Sequence, residues 1–126
     1  MSIRIALAAL LLLPTVAVAQ TPPDGETIFR RDCSACHGMD ARNRVGPGLA
    51  GFWGRAAGAA ENFRYSAAMR AKAEAGLRWD EETVRAYLRN PREVVPGGTM
   101  AYPGLRDEAR LEALVAWLRE RSAAQP

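Results

Sequence analysis

An all-α domain of about four helices, wrapped by long loops around one large group, is the fold that the sequence predicts. Three observations carry this expectation. Apolar residues recur at three- and four-residue spacing in separate stretches, which is the mark of amphipathic helices. No stretch alternates with the period of two that a half-buried strand needs. Two long segments, 37–65 and 92–105, are rich in glycine and follow neither period. Loops of such length in a small domain ordinarily fold over something.

The elements follow in order. Residues 1–19, MSIRIALAALLLLPTVAVA, carry an early Arg4, an apolar run from Ile5 to Leu13 and a closing Ala17-Val18-Ala19. This reads as a secretory signal peptide, with Gln20 as the first mature residue. The run is short of the roughly 20 apolar residues of a membrane helix, so a retained anchor is the rival reading. Residues 20–24 form a polar spacer with Pro22 and Pro23, and residues 25–122 form the folded domain. Asp24 caps a first helix that begins near Gly25 and places Phe29, Cys33 and Cys36 on one face. A second helix is expected over 66–75, stopped by Gly76.

A third helix is expected over 78–91, with Asp80 as its N-cap, acids in its first turn and Asn90-Pro91 at its end. Val84, Tyr87 and Leu88 make its inner stripe. The segment 92–105 reads as an extended loop containing Pro96, Gly97 and Gly98. A last helix spans about 107–122, with Leu111, Leu114, Val115 and Leu118 on one face and Arg119 and Arg121 where the helix dipole favours cations. Residues 123–126 are a short tail.

Composition narrows the function classes. The formal charge is +3, and the cations are sixteen arginines and Lys72. They are spread along the chain among acids, without the basic stripe and interleaved aromatics of a nucleic-acid binder. The cysteines are two, both within 33–37. A disulfide across two intervening residues closes too small a loop to stabilise a fold by chain entropy.

Residues 33–37 read CSACH, and they hold every cysteine and the single histidine of the chain. C-x-x-C-H is the attachment signature of c-type haem. Thiols three positions apart on a helix reach two vinyl groups along one porphyrin edge, and the adjacent histidine reaches the iron. Such a group also supplies the core that the two loops lack. A redox dithiol is disfavoured because no strand precedes the motif. Zinc is disfavoured because a structural site takes four ligands and only three soft ones exist here.

The second axial position has several candidates. A second histidine does not exist, and Met39 is too close to His37 to reach the opposite face. Met69 sits beside alanines on a helix and reads as core filler. Met100 sits in PGGTMAYPG, where no apolar periodicity explains a methionine, and it is the favoured ligand. Met69, Lys72 and an open position remain the alternatives.

At this point the chain resembles the class I cytochromes c, over about residues 25–119. GETIFRRDCSACH resembles the family's first helix and haem site, and GPGLAGFWGR its loop beneath the histidine. WDEETVRAYLRNPREVVPGGTMAYPGL resembles its central helix and methionine loop, and LVAWL its closing helix. The resemblance implies a class I cytochrome c fold around one haem c joined to Cys33 and Cys36, with His37 and Met100 as axial ligands. It also implies that Pro47 accepts a hydrogen bond from His37. Arg55, Tyr65 and Trp79 are implied near the haem propionates with Thr99 beside them, Tyr87 near the Met100 sulfur, and Tyr102 at the exposed haem edge. Gly25 and Phe29 are implied to pack on Leu114, Trp117 and Leu118.

The segment from His37 to Pro47 is shorter than in the mitochondrial proteins, and that from Tyr65 to Trp79 is longer and richer in alanine. The lysines that relatives present to partners are largely missing. The implied activity is one-electron transfer by a soluble periplasmic monomer that meets its redox partners transiently. It is not an enzyme. The alternatives are a haem ligand sensor or small peroxidase with a labile sixth ligand, or a haem subunit of a larger dehydrogenase.

Overall fold

The computed structural model describes residues 23–124 together with Ala17 and Thr21. Apart from Ala17, the expected signal peptide lies outside the described residues, as do Gln20 and Pro22 of the spacer and the last two residues of the tail. Five helices occur in the described residues: α1 (Gly25–Asp32), α2 (Ala67–Glu74), α3 (Glu81–Arg89), α4 (Pro91–Val94) and α5 (Glu108–Ala123). The only β-type pairing among them is an isolated bridge between Ala56 and Arg78.

Four helices begin on a side chain that serves the free amides of the first turn. Asp24 accepts from the Thr27 amide, Ser66 from Met69, Asp80 from Thr83 and Asp107 from Arg110. The Thr27 and Thr83 amides hold the carboxyls of Asp24 and Asp80 below the ordinary aspartate value. Their contribution to stability is therefore present above the unfolded pKa and is lost as pH falls through the folded one. Gly76, at φ +92°, ends α2 in a backbone region that a side chain disfavours.

Two expectations are corrected. The first helix does not run through the cysteines. It stops at Asp32, where Cys33 leaves helical geometry at φ −121° and the Ser34 hydroxyl takes the Arg30 carbonyl at 2.6 Å. The amides of Cys36 and His37 then both turn back to the Cys33 carbonyl, at 3.1 and 2.9 Å. The segment 92–105 is not wholly extended, because Pro91 opens the one-turn helix α4. Proline suits that first position, since its ring presets φ and its missing N–H costs no helical bond.

The core is built where α1 crosses α5. Ile28, Leu111 and Leu114 are fully buried there, and the Phe29 and Trp117 rings lie 4.9 Å apart. Gly25 permits the crossing: a methyl group at its position would overlap the Ala113 carbonyl oxygen and the Trp117 Cβ. Gly25→Ala should therefore destabilise the protein by about 1–3 kcal/mol through overpacking. That exceeds the gain of about 1 kcal/mol in helix propensity. Urea unfolding of the two proteins checks the sign, and a more stable variant would show that the helices can move apart freely.

α3 packs on α5 through buried Val84 and Leu88. On the surface above them, Glu81 pairs with Arg85 and Arg119, Arg85 with Glu112, and Arg89 with Glu108. These exposed pairs orient the two helices more than they stabilise them. A second cluster of Ala57, Met69 and Val95 closes the opposite side under α2. Between the two clusters the chain leaves a cavity.

Candidate haem site

The cavity measures about 290 Å³, near the lower end of the range for small-molecule sites. It is walled by the Cys33–His37 turn, the 45–55 loop, the Phe63–Met69 segment, Trp79, α3 and the 98–102 loop. Each residue that the sequence reading assigned to the site lines it: Cys33, Cys36, His37, Pro47, Arg55, Tyr65, Trp79, Tyr87, Thr99, Met100 and Tyr102. Apart from these, the wall is mostly apolar, with Phe29, Leu49, Phe52, Val84, Leu88 and Leu118 among its members.

The turn after α1 brings the thiols and the imidazole to one wall. Cys33 and Cys36 are both half-buried and are not joined to each other. Before haem is attached, burial pushes the Cys33 thiol up to about 11. The His37 ring is fixed by its Nδ1, which lies 2.9 Å from the Pro47 carbonyl oxygen. Only Nδ1–H can donate to that oxygen, and Nε2 is then free to act as a ligand. Gly46 lies against the ring so closely that a Cβ there would overlap it.

Two methionines reach the wall. Met69, expected as core filler, is buried against Ala57 and Val95 and also lines the cavity. Met100 is half-buried, and the Tyr87 hydroxyl donates to its Sδ at 3.8 Å. Burial pushes the Tyr87 phenol up, so it stays protonated and remains a donor. That contact distinguishes the two thioethers. Tyr87→Phe should shift the reduction potential modestly or loosen the 98–102 loop, as voltammetry and denaturant titration would show. If neither moves, Tyr87 acts only by packing on Trp79, whose ring lies 5.0 Å away.

The polar members are few. Arg55 donates to the Ala50 carbonyl from Nη1 at 3.4 Å, while its Nε is buried without a partner. An orphaned cationic donor on a cavity wall suits a group that carries carboxylates. The Tyr65 hydroxyl accepts from the Ala60 amide at 3.1 Å. Thr99 is exposed at the cavity's rim, as are Val45 and Ala101. Tyr102 stands beside Asp32, and burial and that carboxylate push its phenol up to about 12. The Arg31 guanidinium in turn holds the Asp32 carboxyl below its usual range.

Sequence reading passed over Asn43. Its side chain donates to the Glu61 carbonyl at 2.8 Å and accepts from the Gly48 amide at 3.2 Å, joining two loops that are far apart in sequence. Nothing local marks an asparagine in ARNRVGPG for that task. It shows only when the loops are folded together. The buried Ser122 was missed likewise; its hydroxyl accepts from the Trp53 amide at 3.0 Å and holds the histidine-side loop to α5.

A cavity whose wall offers two thiols and an imidazole from one turn, two thioethers from other segments, and an unpartnered arginine nitrogen fits a covalently held haem. The class so defined is that of the c-type haem proteins. A family model described as "Cytochrome C oxidase, cbb3-type, subunit III" matches residues 20–118. Cytochrome c2 of Blastochloris viridis is 38% identical over 109 residues, which cover 85% of this chain and 83% of the relative. Cytochrome c2 of Rhodoblastus acidophilus is 42% identical over 107 residues, 83% of this chain and 96% of the relative. Cytochrome c of Nigella damascena is 38% identical over 109 residues, 85% of this chain and 96% of the relative. The chain belongs to the cytochrome c family. It has the all-α class I fold, its cofactor is covalently bound haem c, and it is an electron-transfer protein rather than an enzyme.

Proposed function

We propose that this protein is a soluble periplasmic one-electron carrier, with haem c bound by Cys33 and Cys36 and ligated axially by His37 and Met100. The observation that carries this reading is that His37 and Met100 line one cavity with their supporting contacts already made. The Pro47 carbonyl orients the imidazole and the Tyr87 hydroxyl orients the thioether. Haem supplies the exchange of one electron between Fe(II) and Fe(III), and a thioether ligand raises the potential at which this occurs.

The chain's own residues do the rest. His37, held through Nδ1, presents Nε2 without a rotational search. The mostly apolar wall would limit the water around the bound group, which keeps the reorganisation on electron exchange small. Arg55 would offer its buried, unpartnered Nε to the carboxylates of the bound group. If His37 and Met100 both hold the iron, no site would be left there for a substrate. Residues 1–19 act as a cleaved export signal, 20–24 as a spacer, 25–122 as the haem domain and 123–126 as a tail. No described helix is long and apolar enough to cross a membrane.

The partners are larger redox proteins, met by a monomer through small transient contacts, of the kind that bury under about 1,200 Å². A second reading is a haem subunit held within an oxidase or dehydrogenase complex, and the description of the matching family model favours it. Absorption spectra of the purified protein, oxidised and then reduced, test the ligation. A low-spin c-type spectrum with a weak near-infrared sulfur-to-iron(III) band is expected. A high-spin spectrum, or carbon monoxide binding at neutral pH, would move the reading to a ligand sensor or peroxidase. Purification only as part of a stable complex would favour the subunit.

A further inference from the structure

We propose that Asn43 is a positioning residue for His37, acting through the peptide group that joins Pro47 to Gly48. The proposal rests on the reading of His37 as the iron ligand. The carbonyl that takes the His37 Nδ1–H and the amide that donates to Asn43 belong to one peptide unit, with distances of 2.9 and 3.2 Å. The unit is therefore gripped at both ends. A peptide whose N–H is donated has a more polarised carbonyl and accepts more strongly. Asn43 thus sets both the place of the Pro47 oxygen and its strength as an acceptor. A stronger acceptor makes the imidazole a better donor to the metal.

The orientation of the Asn43 amide follows from its neighbours. An N–H at Gly48 requires the oxygen, and a carbonyl at Glu61 requires the nitrogen. The Glu61 anchor is itself a built turn, because the next residue, Asn62, is a non-glycine held at φ +58°. The 58–63 loop therefore presents a fixed carbonyl that keeps Asn43 from swinging away. Gly48 is packed closely here, since a Cβ at its position would meet the backbone of Asp40 and Ala41. The whole path is Glu61 carbonyl, Asn43 amide, Pro47–Gly48 peptide and His37 imidazole.

His37 is the single histidine, so selective ¹⁵N-histidine labelling of the haem-loaded protein gives one residue's signals. Asn43→Leu removes both bonds at similar volume, and Asn43→Asp keeps an acceptor for Gly48 while losing the donor to Glu61. In Asn43→Leu the Nδ1–H should exchange with water about fivefold faster or more, the equivalent of one lost hydrogen bond. The redox equilibrium against a reference couple should shift toward the reduced form by about twofold or more, because the imidazole donates less. In Asn43→Asp, which keeps the acceptor for Gly48 but loses the Glu61 anchor, the Nδ1–H exchange should lie between those of the parent and Asn43→Leu.

A fall in thermal stability with unchanged Nδ1–H exchange and redox equilibrium would overturn the proposal and leave Asn43 a loop clamp. If Asn43→Leu does not mature, the parent decides. There the Nδ1–H and the Gly48 amide must open together, and a Gly48 amide that exchanges freely beside a protected Nδ1–H would overturn the proposal. A parent without a histidine-ligated low-spin spectrum is a different failure, which removes the ligand assignment itself.

Discussion

Replacing both Cys33 and Cys36 by alanine should abolish covalent haem and leave a chain without its native fold. The cavity bounded by these residues is about 290 Å³. Without the group, the mostly apolar wall of this cleft would face water, and that lost burial is large beside the marginal stability of a small domain. The loops on either side have little to replace the lost contacts. α2 is only eight residues long, and its buried Met69 faces this same space. Haem staining on a denaturing gel checks the attachment, and far-ultraviolet circular dichroism checks the fold. Covalent haem retained in the double variant would remove CSACH from the site.

Met100→Ala should lower the reduction potential and admit carbon monoxide or water to the iron. Axial ligands span roughly 0.8 V of potential in haem proteins, and exchanging a thioether for water should take a sizeable part of that. The near-infrared band of the oxidised protein should vanish in the same variant. The fold should survive, because the 98–102 loop stays anchored at Gly98, whose amide donates to the Val95 carbonyl at 3.0 Å. The Leu105 amide anchors its far end by donating to the Leu88 carbonyl at 2.9 Å. A variant with unchanged potential and spectrum would transfer the ligand role to Met69, the other thioether on the cavity wall.

Much of this architecture was legible because it is local. Asp24 and Asp80, read as caps from the sequence, each serve the amide three residues on, so sequence spacing contains the geometry; Ser66 and Asp107 do the same in the structure. The stripe of Leu111, Leu114, Val115 and Leu118 announces α5 and its inner face, and all four are buried. CSACH compresses the attachment chemistry into five positions. The end of α1 before Cys33 was not legible, since the helical spacing of Phe29, Cys33 and Cys36 suits a continued helix equally well. A single hydroxyl, that of Ser34 on the Arg30 carbonyl, helps to divert the chain there.

The sequence by itself determined the helical class, the order of the elements, the attachment motif and the choice between loop and helix for Met100. These depend on residues within a few positions of one another. Only the tertiary structure decided which polar groups meet across the loops. Asn43 reaches Glu61, Trp53 reaches Ser122, and the Arg55 Nε is left free on a cavity wall. Those partners lie many residues apart or belong to a group the chain does not encode. Their pairing depends on where glycine-rich loops settle once the helices have packed, and no spacing rule carries that information.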